Sequence, residues 1–212
     1  MFIVFEGIDG SGKTTQAKAL SAYLASKGIE CFLTKEPTNG PIGRFIRQNA
    51  AGIAGSFVKV NKSIANKEVD SMLINQFAMQ ALFVSDRLYH IEQFIKPKLE
   101  SGSTVISDRY ILSTIAYGMA AGISKEWLVA LNRGLIEPDV TLLLDISPAV
   151  ALKRIGARGS KKELFEKELF LSKAQRAYLK LAKTTRGCIV IDAEESKDEV
   201  AQEIKAKIDD IV

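Results

Sequence analysis

Near its amino terminus the chain runs Phe2-Ile3-Val4-Phe5, then breaks into Glu6-Gly7-Ile8-Asp9-Gly10-Ser11-Gly12-Lys13-Thr14-Thr15, and a segment of helical periodicity follows at once. No other stretch restricts the fold as much. It reads strand, loop, helix, and its glycines let the backbone take positive φ and come close to a ligand. Successive N–H groups can then point inward around an anion, and the unpaired amides of the new helix aim at the same point. Phosphate suits that concavity. Lys13 brings an ammonium to its outer side, and the Thr14 hydroxyl is the kind of oxygen that Mg²⁺ takes as a ligand. The spacing Gly7-x4-Gly12-Lys13-Thr14 is that of a phosphate-binding loop.

Downstream, Ala17, Leu20, Tyr23 and Leu24 recur at helical spacing, and Gly28 sits where a helix should end. Cys31-Phe32-Leu33 predicts a short buried strand. Thr104–Ser107, Val140–Leu144 and Cys188–Ile191 predict three more, with helical stretches between them. Such alternation gives a parallel sheet covered on both faces. From Glu68 to Ile95 the apolar residues keep helical spacing, predicting one long helix interrupted only at Pro97, while Gly52 to Lys62 reads as a loop. The span Arg154 to Lys167, with Gly156, Gly159, Arg158, Lys161 and Lys162, reads either as a flexible basic flap or as an exposed charged helix end. No repeat or low-complexity linker divides the chain, so one domain over residues 1–212 is expected, with a lid segment at about 154–167.

The bulk numbers narrow the class without naming it. A chain of 212 residues that is 47% hydrophobic and 25% charged can bury a substantial core. Its net charge of +4 is mild, so neither a nucleic-acid nor a membrane partner is expected. With no 18-residue apolar run and two cysteines, Cys31 and Cys188, far apart in strand-like segments, the expectation is a cytoplasmic protein with reduced packing thiols. His90, the one histidine, reads as a satisfied core or surface residue.

A second group of chemical residues lies at the end of the third strand, in Asp108-Arg109-Tyr110. Ligands of open α/β sheets sit beyond the carboxyl ends of the strands, and a strand-end carboxylate facing a phosphate loop can anchor a metal. Thr14 and Asp108 are therefore the expected metal ligands. Arg47, Arg87 and Arg109 fall where they could converge on one cleft, as phosphoryl transfer requires.

These residues, taken in order and spacing with the Glu36-Pro37 turn, Phe83-x3-Arg87 and Asp108-Arg109-Tyr110-x2-Ser113-x2-Ala116-Tyr117, resemble the thymidylate kinases over nearly the whole chain. The resemblance implies an α/β P-loop kinase fold: three layers, a five-stranded parallel sheet flanked by helices, and a short lid. It implies transfer of the ATP γ-phosphoryl to dTMP, with Mg²⁺ as cofactor, in a homodimer. Gly7, Ile8, Asp9, Gly10, Ser11, Gly12, Lys13, Thr14 and Thr15 would hold ATP. Asp9 would also lie near the acceptor sugar, Arg47 and Arg109 would clamp the monophosphate, Phe83 would stack on thymine, and Arg87 would donate to its O4. Thr114 and Tyr117 would line the base and sugar pocket, with Tyr117 disfavouring a ribose 2′-hydroxyl. Lys13 and Arg109, with Arg154 and Arg158 from the lid, would supply the catalytic cations.

The chain departs from that pattern in two places. Gly118 follows the Ala-Tyr pair where many bacterial members carry a glutamine that reads thymine N3, and Leu164 stands in the lid where many have arginine. A glutamine at 118 should raise dTMP affinity if the pocket has room for it. Two rivals remain at this level: a kinase for another nucleoside monophosphate, and a switch GTPase, for which Asn66-Lys67-Glu68-Val69-Asp70 misses the required spacing by one.

Overall fold

Five strands form one parallel sheet in the order β2-β3-β1-β4-β5: β1 Phe2–Glu6, β2 Cys31–Lys35, β3 Thr104–Asp108, β4 Val140–Asp145 and β5 Cys188–Asp192. The structure, a computed structural model, describes residues 1–56, 71–156 and 160–211. β1 and β3 are buried along their whole length, as near-continuous apolar strands must be when helices cover both faces. Side chains alternate across the sheet. Ile3 and Phe5 join a core with Leu20, Leu24, Ala116, Leu142, Ala174 and Ile204, while Phe2 and Val4 pack on the other face with Ile91, Ile95, Val105 and Tyr110. Each such side chain contributes on the order of 1.5–3 kcal/mol by leaving water. β2 corrects the expectation of a buried strand. It is an edge strand with alternate residues open to solvent, and Leu33 is 42% exposed.

The helices follow as α1 Lys13–Ser26, α2 Pro41–Ser56, α3 Ser71–His90, α4 Lys96–Glu100, α5 Ile111–Ala120, α6 Lys125–Leu131, α7 Pro148–Arg154, α8 Lys161–Ala182 and α9 Lys197–Asp209. Two expectations change here. Residues 52–56 continue α2 rather than opening a loop, and 57–62 lie outside the described residues. The helical run from Ser71 does not stop at Pro97. A π-helical turn, Ile91–Ile95, joins α3 to α4 with helical backbone on both sides, so Pro97 lies within a continuous helical run and lacks the N–H that a helical hydrogen bond would use. Residues 68–70, and with them the Asn66–Asp70 run, lie outside the described residues. Residues 161–167 are helical: they open a 22-residue helix whose Ser160 and Glu163 cap one another reciprocally.

Parallel pairing puts the strand ends on one edge. Phe5 and Lys35 are both in register with Asp108, and the Glu36 N–H donates to the Asp108 carbonyl at 3.0 Å. The phosphate loop after β1, the Glu36-Pro37 turn after β2 and Asp108-Arg109 after β3 thus meet at the carboxyl end of the sheet.

Gly118 lies buried on α5, where it lets that helix approach α6. A Cβ built there would stand 2.6 Å from Leu128 Cδ2. Its side-chain direction therefore leads into the α5–α6 packing, already filled by Leu128. Gly118→Gln should lower stability by about 1–3 kcal/mol through overpacking, without improving dTMP affinity. Thermal melts and acceptor titrations of that variant check both halves.

Candidate active site

The phosphate loop is built on backbone that only glycine accepts comfortably. Gly10 has φ +85°, and a Cβ on it would lie 2.6 Å from the Ala151 carbonyl oxygen. Gly12, at φ +94°, starts α1, and a Cβ there would meet none of the described residues within 4 Å. No acidic residue occupies the first turn of α1, leaving its free N–H groups to an anion. Ile8 and Ser11 are buried beneath the loop, with the Ser11 N–H donating to the Ile8 carbonyl at 3.2 Å. A cavity of about 420 Å³ opens above, lined by Asp9, Gly10, Gly12, Lys13, Thr14, Thr15, Asp108, Arg109 and Arg154 among others.

Lys13 is buried, and its Nζ donates to the carbonyls of Gly7 at 3.0 Å and Ile8 at 2.8 Å. Burial, followed by the charge of Arg109, holds its pKa down to about 7. Thr14 Oγ1 donates to Asp108 Oδ2, so the two expected metal ligands touch. Both offer the oxygen atoms that Mg²⁺ prefers. Among the described residues no group of three or more His, Cys, Asp and Glu gathers to hold a metal. Arg154, at the end of α7, donates to the carbonyls of Ala193 at 2.7 Å and Glu194 at 3.2 Å. Arg158 lies outside the described residues.

A second cavity, of about 290 Å³, adjoins the first and shares Asp9, Glu36 and Arg109 with it. Asp9, Arg47, Phe83, Arg87, Arg109, Thr114 and Tyr117 all line it. Arg87 is fully buried. Its Nε and Nη2 donate to Glu36 Oε2 at 2.9 and 2.7 Å, its Nη2 also to the Tyr110 carbonyl and Thr114 Oγ1, and its Nη1 to Asn132 Oδ1. One Nη1–H keeps no acceptor among the described residues. Arg47 reaches back to the carbonyls of Pro37, at 2.7 Å, and Thr38, and to Asn39 Oδ1 at 3.0 Å. Arg109 has φ +79°, a conformation uncommon outside glycine and concentrated at functional sites. From there its Nη2 meets Asp9 Oδ1 at 2.6 Å and its Nη1 meets Ser113 Oγ at 2.9 Å, with the Tyr117 ring 5.2 Å away.

Several residues that the sequence reading left without a role hold this arrangement. Glu6, buried, accepts from the N–H groups of Tyr110 and Ser113 at 3.0 and 3.1 Å and from Ser113 Oγ at 2.6 Å, fixing the turn that carries Arg109. Burial pushes its carboxyl up, only partly offset by the Ser113 hydrogen bond and the Arg109 charge. Tyr178 OH lies 2.8 Å from Ser113 Oγ and 3.2 Å from Glu6 Oε2. Glu36 pairs with Arg87 and, at 3.1 Å, with His90, whose other ring nitrogen meets Thr34 Oγ1 at 2.6 Å. An acid closing an apolar strand was the only sequence signal for Glu6, and Glu36 carried only its place before a proline.

A phosphate loop and a second pocket, meeting at one arginine on the carboxyl edge of a parallel sheet, define a class: the ATP-dependent kinases of nucleoside monophosphates. Within it the chain belongs to the thymidylate kinase family, whose family model matches residues 5–204. It is 40% identical to a probable thymidylate kinase of Thermococcus kodakarensis, over all of this chain and 98% of that one. It is 39% identical to a probable thymidylate kinase of Pyrococcus abyssi, over 98% and 95%, and 40% identical to a thymidylate kinase of Xylella fastidiosa, over 91% and 83%.

Lys13 is expected to regain its proton when phosphate arrives. With a pKa of about 7 in the free site it is mostly neutral at pH 8, and a polyanion beside it drives the pKa up, so binding takes up a proton rather than releasing one. Titrating ATP at pH 8 in two buffers of different ionisation enthalpy should show an uptake approaching one proton. Lys13→Ala should show none, and should keep its fold while losing turnover.

Proposed function

We propose that the chain transfers the γ-phosphoryl group of ATP to dTMP, yielding dTDP and ADP for dTTP synthesis. The observation that carries this is the pair of adjoining cavities with Arg109 and Asp9 at their junction. One is built of loop amides and cations. The other presents mainly apolar surface, with Phe83, Ile46 and Pro37 in its walls, among polar side chains that include Arg47, Gln80, Arg87 and Thr114, in keeping with a base site. The acceptor phosphate would then lie where an oxygen of dTMP can attack the γ-phosphorus as the bond to the β,γ-bridging oxygen breaks and ADP departs.

In this reading Lys13, from the loop side, and Arg109, from the junction, neutralise charge on the transferring group, and Arg154 adds a third cation from α7. Arg47 and Arg109 clamp the acceptor phosphate. Asp9, which meets the Tyr117 hydroxyl at 3.2 Å, orients the sugar, and the Tyr117 ring leaves little room for a 2′-hydroxyl. Phe83 covers the base and the unengaged N–H of Arg87 donates to its O4. Mg²⁺, when bound, would be held through Thr14 and Asp108 and would neutralise the phosphates. The single domain closes through its segment at about 154–167, and the protein works in the cytoplasm as a homodimer. Phe45, Leu88 and Tyr89, exposed on α2 and α3, are in keeping with a partner surface, and no helix among the described residues is long and apolar enough to cross a membrane.

Acceptor kinetics test the assignment. Arg87 presents a donor where cytosine carries an amino group, so dCMP should be much poorer than dTMP. The 5-methyl is worth only about 10- to 200-fold, so dUMP should be phosphorylated measurably but less well. A protein preferring dCMP or UMP would sink the dTMP assignment. Arg154→Ala should lower kcat by roughly 10³ or more with little change in KM, as expected for a charge felt mainly in the transition state.

A further inference from the structure

Gln80 lies one turn before Phe83 and two turns before Arg87 on α3, so the three share a helical face, and all three line the smaller cavity. Gln80 is only 3% exposed. Its Oε1 is buried without a hydrogen-bond partner, one of three such side-chain atoms among the described residues and, with Gln16 Oε1 and Tyr110 OH lying elsewhere, the one whose residue lines this cavity. Buried polar atoms are paired in the great majority of cases, and an unpaired one is a standing cost to the free protein. An apolar residue of similar length would avoid that cost. The exception is explained if the missing partner arrives with the substrate.

From this we infer that Gln80 reads the edge of the acceptor base, its carboxamide oxygen accepting the N3–H of thymine. The inference rests on the dTMP reading above and deepens it. A thymine edge presents N3–H as its one ring donor, between two carbonyls. Arg87 has only N–H groups and can serve a carbonyl but never that donor. Thr114 Oγ1 already accepts from Arg87. Gly118 brings no side chain, and its Cβ direction ends against Leu128. A carboxamide supplies an acceptor together with a donor on one planar fork, matching N3–H and an adjacent carbonyl. Arg87 and Gln80 then divide the base edge, one specifying a carbonyl and the other the ring proton.

The test compares dTMP with its N3-methyl derivative, which keeps ring, sugar and phosphate but lacks the N3 proton. Wild-type protein should favour dTMP by roughly 10- to 100-fold in kcat/KM, the range for leaving one buried polar group unpaired. Gln80→Met should lose most of that preference while KM for ATP stays unchanged. Because the substitution removes an unpaired buried oxygen, the ligand-free variant should melt at or above the wild-type temperature, which a structural role for the amide would not allow. Gln80→Glu keeps an acceptor at the same reach and should retain discrimination against the methylated base. Unchanged discrimination in Gln80→Met overturns the inference, as does a lowered melting temperature with acceptor kinetics intact. A wild-type protein that ignores dTMP and phosphorylates another monophosphate fails at the earlier step, before any variant is made, and takes the dTMP reading down with it.

Discussion

A guanidinium withdrawn from water must be paired, and the walls of the second cavity are arranged around one that is. Arg87 sits at 1% exposure with Glu36 against two of its nitrogens, and removing either partner of such a pair typically costs about 3–5 kcal/mol. The pair joins α3 to the turn after β2. From that turn the chain is tied down again, with Asp86 accepting from both the N–H and the hydroxyl of Thr38 at 2.6 Å, and with Thr38 and Pro37 offering their carbonyls to Arg47. Arg87 and Arg47 are thereby fixed through the same few turn residues.

The cations of the site share a second pattern. Lys13 rests on the carbonyls of Gly7 and Ile8, Arg47 on those of Pro37 and Thr38, and Arg154 on those of Ala193 and Glu194. A carbonyl dipole holds a cation in place without cancelling its charge, so phosphate oxygens can outcompete it. Arg109 differs, since besides the Gly7 carbonyl at 3.3 Å it meets the Asp9 carboxylate at 2.6 Å. That side chain is 60% exposed, and a pair in contact with water is weak enough to open.

The fold was largely legible in the sequence because its signals are local. Apolar runs gave the strands to within a residue or two, and the glycine spacing of residues 7–12 gave the loop. What escaped were features decided by distant neighbours. Leu33 belongs to an apolar run whether its strand is central or at an edge, so only the strand order reveals its exposure. Site residues with a sequence motif were named in advance. Glu6, Glu36, Asn132, Tyr178 and Gln80 were not, because each acts through partners between 45 and 172 positions away or, for Gln80, has no partner for its oxygen among the described residues. Neither periodicity nor spacing registers a contact of that kind.

The π turn at Ile91–Ile95 acts as a one-residue phase insertion in an otherwise continuous helical rod. Upstream of it, Arg87 and His90 face Glu36. Downstream, Lys98 comes to lie 3.7 Å over the ring of Phe32 on the edge strand, and Phe94 within the turn meets the same ring edge-on. An uninterrupted α-helix would rotate everything beyond the insertion by about 100° and could not satisfy both sets at once. The irregular turn therefore works as a gear change, letting one rod keep one angular setting for the nucleotide edge of the sheet and another for its flank.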